Sequence, residues 1–456
     1  MEQSILRFGG GTDTTINLLT LVVLFVSALI ILRVSRRLAV FPLVIAGSIV
    51  SLSQVVNVVG LHFTALRILI LFAWIRIALD YGHGRTNKLR SRLTQVDTAL
   101  LAFAICQALC FNMLYHQEAA LIKSLGVLYD TLGLYFLFRI FLTNDLDNDR
   151  CINILAILSV FFAAFMTIEQ ITGHNLLSVF GGAPLDSTLR EGRLRSQGSF
   201  AHPILAGVFG ATLLPIFWNE WRQRTAQRKS AAFGLIGCTV MTLTCASNGP
   251  PLAYLAGVVA LGFWPLRSRM RSVRWILAGA IVSLQLVMKA PVWALIARVD
   301  FIGGSSGYHR YQLVDQFIRH ISSWWLVGTT DTSSWGFFLF DTANEYIDVG
   351  VTGGIFTLVL FVWILVRAFG LLGTTRSVPT ANITKQRRLW AFGAALFSHA
   401  VAFMGVSYFD QTRILWFLLL AMISAEAGTP HISASSRSAT HASLDMPNFT
   451  RSFINS

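Results

Sequence analysis

The chain has 456 residues, 54% of them hydrophobic and only 13% charged, with a mean hydropathy of +0.61. Repeated apolar runs of roughly 20 residues suffice to cross a bilayer core of ~30 Å, so the composition describes a polytopic membrane protein rather than a soluble domain. The formal charge of +14 sits in short basic clusters between those runs, where it orients spans, and nucleic acid is excluded as an expected partner. Five cysteines (Cys106, Cys110, Cys151, Cys238, Cys245) lie in or beside apolar runs without paired CxxC spacing; they read as buried thiols, not as a disulfide frame or a metal site.

In chain order, residues 1–14 are polar, include Gly9, Gly10 and Gly11, and lack the basic segment that opens a secretory signal. The apolar run at about 16–32 is followed by Arg33, Arg36 and Arg37, which predicts a membrane anchor with its amino end outside. Runs near 39–60 and 61–79 predict a tight pair of spans. A basic loop (Arg85, Lys88, Arg90, Arg92) leads to spans near 97–114, 120–142 and 151–172. A second outer segment, about 173–200, precedes a span at 201–218 and the basic loop Arg222, Arg224, Arg228 and Lys229. Spans at 231–246 and 252–265 flank Ser247-Asn248-Gly249-Pro250-Pro251, whose prolines force a tight break. The basic loop Arg267, Arg269, Arg271 and Arg274 and a span at 275–290 lead into a long loop, about 291–349. Spans near 350–369, 389–408 and 413–428 complete a membrane domain over 1–428, and the Ser-rich tail 429–456 reads as disordered and cytoplasmic. The predicted fold is all-α, a polytopic transmembrane helix bundle of about 12–13 spans with one large outer loop.

Charge tests this map independently. With the amino terminus outside, the odd-numbered connections hold 20 of the 36 Lys and Arg, while the opposite face holds only Arg7, Arg190, Arg193, Arg195, Arg298, Arg310, Arg319 and Arg413. The wrong parity would scatter the clusters over both faces. The long loop is therefore expected outside, periplasmic for a bacterial inner membrane. It collects Asp300, His309, Arg310, Asp315, Arg319, His320, Trp324, Trp325, Asp331, Asp341, Glu345 and Asp348, a density that marks it as the place for a substrate or a reaction. Two exterior arginine groups, Arg190/Arg193/Arg195 and Arg298/Arg310/Arg319, are suited to clamping an anion such as a lipid phosphate or diphosphate. Headgroup anchoring, or ion pairs with Asp186, Glu191 and Asp315, accounts for the same residues.

Four segments carry a resemblance. Arg195-Ser-Gln-Gly198-Ser-Phe200-Ala-His202-Pro203 resembles the R-x-x-G-x-F-x-x-P signature of the O-antigen ligase and oligosaccharide repeat-unit polymerase superfamily. Ser247-Asn248-Gly249 stands where that family has S-R-G, Arg310 stands in an arginine-led amphipathic segment of the large loop, and Ala343-Asn344-Glu345-Tyr346-Ile347 followed by Gly350 and Gly353 is similar to H-N-x-Y-L then G-x-x-G. The resemblance spans roughly 120–420 and implies a C-type glycosyltransferase architecture. It implies transfer of a glycan from an undecaprenyl-diphosphate carrier to another glycan or to a lipid A core acceptor in surface polysaccharide biosynthesis, with no metal or other cofactor. By the same resemblance Arg195 and Arg310 bind the diphosphate; Arg193, His202 and Asn344 are the further substrate-binding candidates. The family's histidine does not carry over, because Ala343 occupies its place.

A glycosyl diphosphate already holds a good leaving group, so stabilising the developing negative charge matters more than protonating it. The acceptor hydroxyl needs a base or hydrogen-bond acceptor. Glu345 and Asp341 flank the altered position and are candidates for that part; His309 and His202 are alternatives, and loop solvation or pairing with arginine is the other role open to the two acids. Charged residues inside spans are costly towards lipid: Arg76 and Arg367 are placed to snorkel, Lys123 and Asp130 stand two helical turns apart, and Glu169 is a candidate for lining the same cavity. Asp145-Leu-Asp147-Asn-Asp149 lacks the Gly and terminal Glu of a calcium loop and suits a helix amino end. A secondary transporter or flippase of a lipid-linked or anionic substrate is the other function class this composition admits, although no internal repeat is visible.

Overall fold

The computed structural model describes residues 14–51, 53–58, 61–82, 93–223, 227–298, 306–337, 339–379, 381–409 and 411–428. The basic loop at Arg85–Arg92, Asp300 and the 429–456 tail lie outside the described residues. The fold is all-α apart from two short hairpins. Its elements are α1 (Leu18–Arg33), α2 (Val40–Ile49), β1 (Val55–Val58), β2 (Leu61–Thr64), α3 (Ala65–Gly82), α4 (Gln95–Tyr115), α5 (Glu118–Leu128), α6 (Leu134–Phe141), α7 (Asp145–Thr172), β3 (Thr188–Arg190) and β4 (Arg193–Arg195). There follow α8 (Pro203–Arg222), α9 (Arg228–Thr244), α10 (Gly249–Gly262), α11 (Met270–Val287), α12 (Ser306–Arg319), α13 (Ile321–Trp324), α14 (Glu345–Arg376), α15 (Ile383–Ala402) and α16 (Thr412–Gly428). Among the described residues six helical segments are long and apolar enough to cross a membrane: α4, α5 continuing into α6, α7, α8, α11 and α14. The protein is a multi-pass helical membrane protein.

Helix starts follow capping chemistry. Thr94 and Asp97 close a reciprocal capping box on α4; Asn17, Asn144, Asn344 and Asn382 each turn a side-chain carbonyl onto the first free N–H groups of α1, α7, α14 and α15. The acidic run at Asp145 serves this purpose: Asp145 and Asp147 occupy the first turn of α7 and Asp147 also accepts from Thr143.

One stretch departs from the hydropathy map. In place of a span over 39–60, α2 runs for only 10 residues, about 15 Å or half a bilayer core. The antiparallel pair β1–β2 then precedes α3. A window average cannot separate a period of 2 from one of 3.6, and Val55, Val56 and Val58 are strand formers.

Several charges inside the bundle are paired. Arg67 grips Asp130 with bonds of 2.9 Å within a π-helical turn, Tyr129–Gly133; Arg139 bonds Asp97 at 2.9 Å; Arg76 pairs with Asp80. Hydrogen bonds also sort the connections into two ends. Arg36 reaches Ile140 O, Arg376 reaches Arg267 O, Arg388 pairs with Asp149, and Gln223 reaches Thr384 O, so the arginine-rich connections meet at one end. At the other, Asn17 bonds Val179 O, Ser199 bonds Ser48 O, Gln411 bonds Ser199 O, and Asn344 bonds Met404 O.

The 306–339 part of the long loop has a small core of its own, in which Leu313, Phe317, Trp324, Trp335 and Leu339 pack on Ile347 and Val351 of α14. Gly350 permits this contact, since a Cβ there would stand 2.6 Å from Phe317. At Gly354, φ 73° and ψ −175°, α14 breaks, and the neighbouring backbone closes on the 325–329 strip: Ile355 N–H donates to Trp325 O and Val351 O accepts from Thr329 N–H.

Candidate functional site

At the arginine-poor end, the segment between α7 and α8 is built around one carboxylate. Glu169, 1% exposed, accepts from the backbone N–H of Gln197 at 3.0 Å, from that of Gly198 at 2.9 Å and from Ser187 Oγ at 3.0 Å. Gly198 has φ +59°, the left-handed conformation that turns two successive N–H groups onto the same anion. Phe200 is fully buried against Phe162 and Phe209, and His202-Pro203 starts α8. The R-x-x-G-x-F-x-x-P spacing is thus a folding unit whose product is a fixed position for Arg195. Upstream, β3 and β4 pair through a two-residue turn, Glu191-Gly192, with both φ values positive, and Ser196 N–H bonds Thr244 O to fasten the hairpin to α9.

Arg195 is 8% exposed. Its Nη2 donates to Ser247 Oγ at 2.6 Å, while its Nε is buried with no partner. Among the described residues no ion pair includes it. Burial, and after it the charge of Arg190, pull its pKa below the ordinary value, a condition that an incoming anion relieves. Arg310, on the first turns of α12, lies against the next glycines: a Cβ on Gly249 would be 3.7 Å from its Nη2 and one on Gly405 3.5 Å from its Nε. Ser247-Asn248-Gly249 therefore stands beside both arginines: Ser247 bonds Arg195, and Gly249 leaves space next to Arg310.

Arg195 and Arg310 line one cavity of about 980 Å³. The hairpin adds Arg190 and Glu191, α8 adds His202 and Ile204, α12 adds Tyr308 and His309, the segment before α14 adds Asp341 and Ala343, and the connection from α15 to α16 adds Gly405 to Ser407. Two helix amino ends, those of α8 and α10, open at this cavity and add partial positive charge to the arginines. His202, one residue outside α8, has its pKa pushed down to about 4 by burial and then by Arg195 and Arg190. Its Nδ1 accepts from Ile204 N–H at 3.2 Å, so the neutral ring keeps its proton on Nε2, a donor rather than a base.

No family model and no curated protein matches the chain. What the site does must be read from its own geometry.

Of the residues singled out in the sequence, Arg195, Arg310, His202, His309 and Asp341 share the cavity. Arg193 lines a separate cavity of about 570 Å³ on the other side of the hairpin, with Gln170 and Thr242. Asn344 and Glu345 do not line the large cavity. The Asn344 carbonyl caps α14 by accepting from Tyr346 N and Ile347 N while its amide donates to Met404 O. Glu345 N–H donates to Phe403 O and its carboxylate accepts from Tyr408 N–H at 2.6 Å, so it holds the 403–409 wall from behind. Glu169 likewise supports the site instead of lining it. Asp315 pairs with Arg319 and Asp186 with His174, so neither neutralises Arg195. Ser247 and the 405–407 wall were not among the candidates; the S-N-G motif pointed to the first, and nothing in Gly405-Val406-Ser407 signals the second. Among the described residues no group of three or more His, Cys, Asp or Glu is placed to hold a metal ion. The cavity can bind an anion against its arginines and offers two carboxylates, Glu191 and Asp341, and two imidazoles, His202 and His309.

Proposed function

We propose that the protein is a membrane glycosyltransferase of the O-antigen ligase and repeat-unit polymerase kind, which moves a glycan from an undecaprenyl-diphosphate carrier to a sugar acceptor at the exterior face of a bacterial inner membrane. One observation carries the reading: a buried arginine with an unpartnered Nε, Arg195, shares a cavity with Arg310 and two helix amino ends. Breaking the bond from the anomeric carbon to the diphosphate oxygen places negative charge on the departing group, and preorganised guanidinium groups stabilise it there. The acceptor hydroxyl loses its proton to a base in the same cavity; of its two carboxylates, Glu191 on the hairpin and Asp341 before α14, Asp341 is the one assigned that part. Polymerase and ligase share this donor chemistry and differ in the acceptor.

A transporter or flippase is the second reading, favoured by the break in α14 at Gly354, since discontinuous helices form transporter sites. Here the break is packed against the backbone of residues 325–329, which weighs against it. The test uses purified protein in nanodiscs with an undecaprenyl-diphosphate-linked repeat unit and, separately, a lipid A core acceptor. Glycan transfer with release of undecaprenyl diphosphate, lost in Arg195→Ala and Arg310→Ala, is the expected result. Movement of the intact lipid across a bilayer with no bond cleaved would establish the transporter instead.

A further inference from the structure

The large cavity has a second chemical character at its mouth. Phe337 is 84% exposed, Phe340 63%, Tyr308 55% and Phe409 50%, and all four line it. They come from three separate elements: the segment before α14, α12, and the connection from α15 to α16. Phe337 and Phe340 are not loose ends. Trp335 and Leu339 on either side of Phe337 are buried in the small loop core, and Thr332 Oγ1 closes the turn by donating to Leu339 O at 2.9 Å. Buried Trp335 and Leu339 fix the backbone that carries exposed Phe337 and Phe340.

Exposed rings grouped around one cavity mark a contact surface. Charged groups interleave with these: Arg190, Glu191 and Asp341 share the same cavity lining, and Asp341 directly follows Phe340. That mixture suits a ligand with apolar faces and a hydroxylated edge, and not an acyl chain. A pyranose ring is such a ligand. Its C–H face lies on an aromatic ring while its hydroxyls reach carboxylate and guanidinium. The cavity volume of about 980 Å³ is also well beyond what a diphosphate fills. We infer that Phe337, Phe340, Tyr308 and Phe409 form a sugar-stacking rim that binds the glycan pyranose rings next to the diphosphate. The inference rests on the glycosyl-transfer reading, naming the part of the substrate that reading leaves unassigned.

The test compares binding of undecaprenyl diphosphate and of its glycan-bearing form to the protein in nanodiscs. Wild type should hold the glycan-bearing lipid more tightly. The Phe337→Ala/Phe340→Ala double variant should bind it about tenfold more weakly, with the glycan-free lipid unaffected; the Trp/Trp variant, which keeps two rings, should retain wild-type binding. The rim is overturned if the Ala variant binds both lipids as wild type does, or if it weakens both equally, which would assign the rings to the lipid. If wild type binds neither lipid, the glycosyl-transfer reading fails and takes the rim with it; if it binds both equally, the rim alone fails.

Discussion

Arg195 Nη2 donates to Ser247 Oγ at 2.6 Å, and that hydroxyl in turn donates to Cys245 O. The contact orients the guanidinium without neutralising it, so the charge remains available to a ligand. Replacing Arg195 by Lys keeps a charge but loses the planar fork. Transfer by Arg195→Lys is expected to fall about 100-fold or more, the scale seen when one preorganised donor leaves a transition state. Ser247→Ala frees the fork to rotate and should cost less, about tenfold in turnover. Lipid-linked donor assays in nanodiscs, with thermal melts to verify folding, measure both. A wild-type rate in Arg195→Lys would remove the guanidinium fork from the mechanism; a wild-type rate in Ser247→Ala would remove only the orienting role of the hydroxyl.

His202 caps α8 through an unprotonated Nδ1. Its folded pKa of about 4 lies below the ordinary 6.5, so between those values the unfolded chain binds the extra proton. Stability should therefore rise with pH across that window, be complete above it, and be lost as pH falls through it. His202→Asn keeps a capping oxygen and should flatten this dependence with little change at pH 7, whereas His202→Ala should lose about 1 kcal/mol there. Denaturation in detergent at pH 4.5, 5.5 and 7 distinguishes these outcomes. Equal pH slopes in wild type and His202→Asn would exclude His202 as the source.

Gly198 has room for a methyl group, its Cβ position standing 3.5 Å from the nearest atom, Leu177 Cδ1. The obstacle is backbone conformation. Gly198→Ala is expected to cost about 1–2 kcal/mol by forcing a left-handed alanine and to loosen the grip of Glu169 on the 197–198 amides. Glu169→Gln, which loses the charge those N–H groups converge on, should cost about 2 kcal/mol. Because both act on one carboxylate site, the double variant should lose less than the sum of the single ones; strict additivity would mean the two are uncoupled.

How much of this could be read from residues alone depends on the kind of signal involved. Apolar runs of full span length and the arginine-rich connections are dense, local signals, and α4 and α8 begin and end close to where hydropathy put them, while α7 starts earlier and α14 runs past its predicted span at both ends. The 39–60 stretch carried an equally apolar average, but its Val-rich second half pairs as a strand. At the site, Arg195 and Arg310 were legible because they stand in the arginine-poor connections, where each remaining guanidinium stands out. Asn344 was legible for a different role: Asn ahead of Glu-Tyr-Ile is also a helix cap, and the cap is what its atoms do. Glu169 was singled out as a cavity-lining candidate, but its role of holding the 197–198 amides gave no local hint, since those partners stand 28 and 29 residues away.

Asp341 and Glu345 are four residues apart and of one charge, and they face different surroundings. Asp341 is exposed on the cavity lining, whereas Glu345 turns inward to hold Tyr408 N–H. A proton acceptor for the incoming hydroxyl must reach the ligand, which Asp341 can do and Glu345 cannot without releasing the 403–409 wall. Asp341→Asn should therefore reduce transfer about 100-fold or more with donor affinity and melting temperature unchanged. Glu345→Gln can still accept from Tyr408 through its amide oxygen; it should retain most of the turnover but melt at a lower temperature, because the stronger charge-assisted bond is lost. The diagnostic quantity is the ratio of turnover to donor affinity in each variant, measured with one lipid-linked donor. If Asp341→Asn turns over normally while Glu345→Gln is inactive and melts like wild type, Glu345 is the base and the wall it holds must open during catalysis. If both turn over normally, His309, the remaining imidazole of the cavity, becomes the residue to replace.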